Sequence, residues 1–286
     1  MKINGIWVPV ITPFKDDKVD FDSYKRLVEH YIGEGAHGIM PVATTGESPT
    51  LSENEYEKIV ATSMEIVNGR IPVMIGLGGN NTRVVIEKLK MAQKYKVDGI
   101  LSVSPYYNRP DQRGIYEHFN AISQSTDLDI MLYNIPYRTG RNIENETLFK
   151  LAEKKNIIGV KDASGDYNKT IDLLLNRPEG FSVLTGEDNL FYSSLLLGGD
   201  GGIMASAHLR TKDFIQVYND IKNNDHQEAL KTWRELSKFI PLLFKEPNPT
   251  PIKYILEQRG LINSAEVRLP LVGITNELMK ELEFLI

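Results

Sequence analysis

The chain has 286 residues, of which 41% are hydrophobic and 25% are charged. This composition is typical of globular proteins and excludes a disordered chain. The net charge of -5 argues against nucleic acid and anionic membranes as partners, because both require a basic surface. The chain contains no cysteine, which excludes disulfide bonds and thiolate metal sites and suits a reducing compartment.

The sequence shows no targeting or membrane segment. The first five residues run directly into a strand-like segment and lack the apolar region and cleavage site of a signal peptide. No apolar stretch reaches the roughly 18 residues that a membrane span requires. A cytoplasmic location is therefore expected.

Short apolar runs recur along the chain, separated by helical patterns of about 12 to 18 residues. This alternation predicts parallel strands joined by helices. Eight such units over about 220 residues match an α/β fold of the (β/α)8 TIM barrel type, with a doubly wound open sheet as the alternative. The predicted strands are 6–11, 38–42, 72–77, 99–103, 130–133, 157–160, 182–184 and 202–204.

Local signals support the helices between these strands. Ser52 and Glu55 form a capping box, in which each side chain bonds the backbone N–H of the other. Segment 22–34 places its apolar residues on one face, and Gly35 follows it as a left-handed terminator.

The pattern changes after about residue 225. Segments 226–243, 252–258 and 276–285 read as helices, and no further strand is predicted. The chain is therefore predicted to consist of a barrel with the active site, residues 1–224, and a C-terminal helical region, residues 225–286.

Lys161 directly follows the buried apolar run 157–160. The carboxyl ends of barrel strands form the active-site face, so this lysine is expected there. Partial desolvation lowers the pKa of an ammonium group and frees the neutral amine, which forms imines with carbonyl compounds. A salt-bridged lysine at the barrel rim is the alternative.

Other polar residues follow strands and would converge on the same face. Thr44 and Thr45 offer hydroxyl and N–H groups ahead of a helix, which suits a carboxylate. Tyr133 ends the strand next to that of Lys161 and could shuttle protons, although the residue considered alone favours a rim aromatic hydrogen-bonded at its tip. Arg138 could clamp a carboxylate, but its position alone favours a solvated surface arginine.

Two other patterns do not predict sites. The five histidines lack the spacing of metal ligands, so no metal is expected. The glycine-rich segment 76–81 lacks the spacing of dinucleotide and phosphate loops.

Taken together, these motifs resemble those of the dihydrodipicolinate synthase family, within the N-acetylneuraminate lyase superfamily of class I aldolases. The resemblance runs nearly end to end, and the order and spacing of its segments make it specific. The segments are 10–14, 44–48, 105–108, 133–136, 138–140, 159–162, 247–249 and 268–272.

The resemblance implies a barrel enzyme that condenses pyruvate with L-aspartate-4-semialdehyde in diaminopimelate and lysine biosynthesis, without a cofactor. It implies a homodimer or a homotetramer built as a dimer of dimers. In the implied chemistry, Lys161 forms the imine, and Tyr133 transfers protons through a relay from Thr44 to Tyr107 of a neighbouring subunit. In the implied binding site, Thr45 binds the pyruvate carboxylate and Arg138 binds the second substrate. Gly186 and Ile203 are implied to line the pocket.

Related lyases leave alternatives open. Sialic acid lyases and 2-keto-3-deoxy sugar-acid aldolases use the same pyruvate imine, but Arg138 favours the synthase. A silent paralogue that binds keto acids is disfavoured by the complete set of reactive residues. At the positions where lysine-inhibited members bind lysine, this chain has Glu53, Tyr56 and Val84, so weak or absent inhibition is expected.

Overall fold

The computed structural model describes residues 2–286. The strands are β1 (Gly5–Val8), β2 (Phe14–Lys15), β3 (Lys18–Val19), β4 (Gly38–Ile39), β5 (Met74–Gly76), β6 (Gly99–Val103), β7 (Asp129–Asn134), β8 (Ile157–Asp162), β9 (Ser182–Thr185) and β10 (Gly201–Ile203). The helices are α1 (Phe21–Gly33), α2 (Glu53–Val67), α3 (Thr82–Lys94), α4 (Gln112–Gln124), α5 (Pro136–Thr139), α6 (Asn145–Ala152), α7 (Tyr167–Asn176), α8 (Phe191–Leu196), α9 (Thr211–Lys222), α10 (His226–Phe239), α11 (Thr250–Gln258) and α12 (Asn276–Leu282).

Eight parallel strands form one sheet in the order β4-β1-β10-β9-β8-β7-β6-β5. Ile39 of β4, at one end of this order, forms a parallel bridge with Val73. Val73 directly precedes β5, at the other end of the order. Helices follow the strands along the chain, so the fold is the predicted (β/α)8 barrel. Within residues 2–286, no helix is both long and apolar enough to cross a membrane.

The contacts divide the chain into two compact units. The first contains residues 2–5 and Met74–Ile203. In it, β5 to β10 pair in sequence order, and helices α3 to α8 alternate with them. Its strands are almost wholly buried, as expected of parallel strands covered on both faces. The buried strand residues include Ile100, Leu101, Ile130, Met131, Leu132, Val160 and Leu184.

The second unit contains Ile6–Val73 and Met204–Ile286. It carries the β1–β4 pair, helices α1 and α2, and all helices from α9 onward. Its helices bury one apolar stripe each, which gives the amphipathic pattern seen in the sequence. The core includes Ile6, Val8, Tyr24, Leu27, Tyr31, Ile39, Leu236 and Ile255.

The predicted helix signals are present. Ser52 and Glu55 form the capping box of α2, with both reciprocal hydrogen bonds in place. Gly35 follows α1 with a φ of 87°, a left-handed conformation that glycine adopts without a steric penalty.

All eight predicted strands are present, and all but β6 differ from their predicted bounds. β1 ends at Val8, before Pro9, because proline lacks the N–H that a ladder requires. The hairpin of β2 and β3 was missed. Its two-residue turn, Asp16-Asp17, has φ values of 52° and 57°, and it lacks the glycine that usually signals such turns.

The C-terminal region contains helices α10, α11 and α12 and short 3-10 turns. The predicted helix 226–243 is shorter than expected, since α10 ends at Phe239 and continues as a 3-10 turn at Ile240–Phe244. Pro241 lies in this turn, and proline is incompatible with a continuing α-helix. The boundary at residue 224 stays a prediction.

Candidate active site

Lys161 lies near the carboxyl end of β8, and its side chain is only 6% exposed. Its register partner on β7 is Tyr133. The Lys161 Nζ lies 4.4 Å from the centre of the Tyr133 ring. The structure therefore brings together the amine and the phenol that the sequence analysis singled out from separate segments.

A second pair of side chains holds these two strand ends together. Asn134 and Asp162 directly follow Tyr133 and Lys161 and are also register partners. Asn134 Nδ2 donates to Asp162 Oδ1 at 3.1 Å, and Thr170 Oγ1 donates to Asp162 Oδ2 at 2.7 Å. Adjacent residues of a strand point to opposite faces. The buried Asn134–Asp162 hydrogen bond therefore fixes the register of β7 and β8 on the face opposite Tyr133 and Lys161.

Burial lowers the pKa of Lys161 from its ordinary value of 10.5 to about 8. Desolvation is the largest cause, because an ammonium loses its hydration on burial. Asp188 and Glu187 oppose the shift by favouring the charged form, whereas Arg138 adds to it. At pH 7 about a tenth of the lysine is thus neutral, and the neutral amine is the nucleophilic form.

Gly186 packs directly against Lys161. A Cβ at Gly186 would lie 2.5 Å from Lys161 Cε, which is too close for any side chain. The Gly186 N–H donates to the Asp162 carbonyl at 2.7 Å. Ile203, the last residue of β10, is fully buried. A larger residue at position 186 would displace the lysine.

Arg138 lies on the short helix α5, which begins at Pro136 immediately after β7. Its side chain is exposed, and its Nε donates to the Tyr137 hydroxyl at 3.1 Å. Because Arg138 contributes to the low pKa of Lys161, its charge acts at the amine. An exposed guanidinium near a buried amine is suited to receive an anionic substrate group.

Tyr107 is 91% exposed and has a φ of 69°. The Asn108 N–H donates to the Tyr106 carbonyl at 2.9 Å, which makes Tyr107 the centre of a strained three-residue turn. An aromatic side chain held outward at a backbone cost is a candidate for a contact with another molecule.

Thr44 and Thr45 belong to the second unit. Thr45 is buried, and its Oγ1 accepts a hydrogen bond from Asn248 Nδ2 at 3.0 Å. Gly46 follows, and its carbonyl accepts from Thr12 Oγ1 at 2.7 Å. This loop presents small hydroxyl and amide groups, the type of donors that bind carboxylates.

Several charged residues were not singled out from the sequence. Glu187 and Asp188 directly follow Gly186, and both raise the pKa of Lys161. Glu47 and Lys253 form a buried ion pair, and neither was singled out. A charged residue inside a run of small or apolar residues, such as Lys253 after Pro251-Ile252, was the available signal.

Within residues 2–286, no group of three or more His, Asp or Glu side chains is arranged to hold a metal ion.

Comparison with known proteins places the chain. The model described as the dihydrodipicolinate synthetase family matches residues 2–286. The chain belongs to this family. It is 58% identical to a curated relative from Clostridium acetobutylicum, 4-hydroxy-tetrahydrodipicolinate synthase 2, over 99% of each chain.

Solved structures of the dihydrodipicolinate synthetase family have the same fold. The dihydrodipicolinate synthase from Thermotoga maritima is 35% identical, with a TM-score of 0.97 over 100% of this chain and 98% of that one. A protein described as a monomeric dihydrodipicolinate synthase variant is also 35% identical, with a TM-score of 0.97 over 99% of this chain and 96% of that one.

The pKa of Lys161 predicts the pH dependence of imine formation. Only the neutral amine attacks a carbonyl, so the rate at low pyruvate should rise with pH and level off above about pH 8. Well below the pKa, the rate should fall about tenfold per pH unit. Initial rates of pyruvate imine formation across this range measure the midpoint.

The Asp188→Asn variant gives a direct check on this midpoint. Asp188 raises the pKa of Lys161, so its neutralisation should move the midpoint to lower pH. A rate that keeps rising up to about pH 10, near the ordinary lysine value, would contradict the desolvation of Lys161.

Proposed function

We propose that this chain condenses pyruvate with L-aspartate-4-semialdehyde, as a 4-hydroxy-tetrahydrodipicolinate synthase on the route to diaminopimelate and lysine. The observation that carries the proposal is the buried Lys161, whose pKa is lowered to about 8 and whose amine lies against Tyr133. Family membership supports the choice of substrates.

The proposed reaction begins at the amine. Neutral Lys161 attacks the keto carbon of pyruvate, and water leaves to form a protonated imine. The imine withdraws electrons, so the pyruvate methyl loses a proton and an enamine forms. In our proposal Tyr133 moves these protons, since its ring lies against the Lys161 amine.

The enamine carbon then bonds to the aldehyde carbon of the second substrate, whose oxygen takes a proton. The amino group of that substrate attacks the imine carbon and closes the ring. The bond to Lys161 breaks, which releases the free amine and 4-hydroxy-tetrahydrodipicolinate. The covalent lysine itself acts as the electron sink, so this scheme draws on no metal or organic cofactor.

The remaining residues receive their proposed roles from the family resemblance. Thr45 binds the pyruvate carboxylate, and Thr44 links Tyr133 to Tyr107. Arg138 receives the carboxylate of the second substrate, and its effect on the pKa of Lys161 supports this role. Gly186 and Ile203 line the pocket.

We also propose that the chain acts as a homo-oligomer, a dimer or a dimer of dimers. The outward position of Tyr107 supports this, because the proposed relay takes that tyrosine from a neighbouring subunit. A cytoplasmic location and weak or absent inhibition by lysine stay predictions.

Turnover of pyruvate with L-aspartate-4-semialdehyde, coupled to reduction of the product, tests the proposed function. Rapid turnover is expected. A protein that traps pyruvate on reduction with borohydride but does not consume the semialdehyde would instead use a sugar-acid aldehyde, as the related aldolases do. A protein that traps no pyruvate would refute the imine itself.

The Arg138→Ala variant tests the second-substrate role. A charge-assisted bond to a carboxylate contributes about 2 kcal/mol, so kcat/KM for the semialdehyde should fall about 30-fold. Pyruvate trapping should change little, apart from a small rise in the pKa of Lys161, since Arg138 lowers it. Separate measurements of condensation and trapping distinguish the two steps.

Arg141→Ala is the matched control for Arg138, because Arg141 is also exposed and lies in the same segment. It should leave both steps unchanged. An equal loss of trapping and condensation in Arg138→Ala would assign Arg138 to the imine step or to the fold.

A further inference from the structure

The C-terminal region contacts the loop that carries Thr44 and Thr45. We infer that Asn248 and Lys253 are positioning residues for this loop, and that they set its affinity for the carboxylate of a 2-oxo acid. The inference rests on the proposed function, in which Thr45 binds the pyruvate carboxylate. Neither residue has a part in the chemistry proposed above.

The loop is strained at both ends. Val42 and Glu47 have φ values of 50° and 53°, in the left-handed region that disfavours β-branched and bulky residues. Both are buried. At Gly46 a Cβ would lie 3.0 Å from the Val10 carbonyl oxygen. Such a conformation persists only where the surroundings enforce it.

Lys253 supplies one such restraint. Its Nζ lies 2.5 Å from Glu47 Oε1, and the two side chains are 0% and 1% exposed. Lys253 Nζ also donates to the Glu266 carbonyl at 2.8 Å and lies 4.2 Å from the centre of the Phe14 ring. The Arg268 N–H donates to Glu47 Oε2 at 3.2 Å.

Burying the Glu47–Lys253 pair carries a desolvation penalty, so we infer that the pair has a role other than stability. Burial lowers the pKa of Lys253 to about 8, although Glu47 favours the charged form. Buried ion pairs add little net stability compared with apolar residues, but they specify one arrangement of the groups they join. Here the ion pair holds Glu47, the last residue of the loop, in its left-handed backbone conformation.

Asn248 contacts the Thr45 hydroxyl, the group proposed to bind the substrate carboxylate. A threonine hydroxyl has one proton and can also accept hydrogen bonds. Thr45 Oγ1 accepts from Asn248 Nδ2 at 3.0 Å, so the Thr45 proton remains available for another acceptor. A substrate carboxylate is such an acceptor. The Asn248 amide therefore orients the hydroxyl as a donor toward the ligand.

Two variants of Asn248 test this orientation. The readout is the pyruvate concentration that gives half-maximal borohydride trapping. Asn248→Ala removes one hydrogen bond, so that concentration should rise about fivefold. In Asn248→Asp the carboxylate accepts the Thr45 proton instead, so the rise should exceed about tenfold. The KM for the semialdehyde should change less than that for pyruvate.

Glu246→Ala is the control on the same segment. Glu246 accepts hydrogen bonds from Thr275, whereas the contacts that hold the Thr44–Thr45 loop come from Asn248, Lys253 and Arg268. This variant should shift thermal stability but not the half-saturating pyruvate concentration. An Asn248→Asp variant that traps pyruvate like the unmodified protein would overturn the inference.

The ion pair is tested by removing both charges at once. Lys253→Met alone leaves Glu47 buried without its partner, so it should unfold more easily. The double variant Glu47→Gln with Lys253→Met should fold, because no unpaired charge remains. Its half-saturating pyruvate concentration should rise about tenfold, and an unchanged value would overturn the role of the pair.

The unmodified protein separates this inference from the proposed function. If it traps no pyruvate, the proposed function fails and the inference fails with it. If it traps pyruvate and the variants match it, only the inference fails.

Discussion

Replacing Lys161 with methionine is expected to abolish pyruvate trapping and to lower turnover on the order of 10⁴-fold or more, as in other enzymes that lose their nucleophile. Methionine has nearly the same length and fills the space against Tyr133 without a reactive amine. Mass spectrometry after borohydride reduction should show one reduced pyruvyl group in the unmodified protein and none in the variant.

Lys155→Met is the control, since Lys155 is exposed, and it should retain both trapping and turnover. A reduced pyruvyl group on any other lysine of the Lys161→Met protein would overturn the assignment. The buried Lys253 is the residue to check first, because its pKa is also lowered to about 8.

Lys161→Met should also stabilise the fold at pH 7. A lysine whose pKa falls from 10.5 to about 8 on folding destabilises the folded state fully below about pH 8, and the penalty disappears as the pH rises through 10.5. At about 1.4 kcal/mol per pKa unit, the penalty is about 3 kcal/mol. Thermal unfolding at pH 7 and at higher pH measures it, and a stability gain that does not shrink with pH would contradict the cause.

Tyr133→Phe is expected to lower kcat between about 10²- and 10⁴-fold, the usual contribution of a general acid–base. Phenylalanine keeps the ring that lies 4.4 Å from the Lys161 Nζ, so packing and the cation–π contact persist. The hydroxyl is lost, and with it the proton transfer that we propose for Tyr133. Steady-state kinetics with both substrates, together with the rate of pyruvate trapping, measure the effect.

Tyr167→Phe provides the comparison, because Tyr167 is half-exposed at the start of α7 and should tolerate the change. If Tyr133→Phe keeps more than half of the turnover, proton transfer must be assigned to another group. Unchanged thermal stability in Tyr133→Phe would show that the loss is chemical.

The eight strands and the proximity of Tyr133 to Lys161 were predictable because they depend on short-range patterns. Apolar runs that alternate with helical segments predict parallel strands, and all eight are present. Adjacent parallel strands bring their carboxyl ends side by side. The pairing of Tyr133 with Lys161 therefore follows from the position of both residues near the carboxyl ends of consecutive strands.

The hairpin of β2 and β3 shows where local patterns fail. Its strands have two residues each, too few to show an alternation of apolar and polar side chains. Asp16 and Asp17 adopt the left-handed conformation without the glycine that usually marks it. The tertiary contact between Asp17 and Arg268 joins residues about 250 positions apart, and no local signal predicts it.

The sequence by itself determined the barrel, the eight strands and the family motifs, because strand and helix periods and turn residues act within a few positions. Only the tertiary structure decided the chemistry of the residues. The low pKa of Lys161 comes from burial, and the left-handed Glu47 is accompanied by its ion pair with the distant Lys253. Desolvation and long-range pairing depend on what surrounds a group in space, and a local pattern does not contain that information.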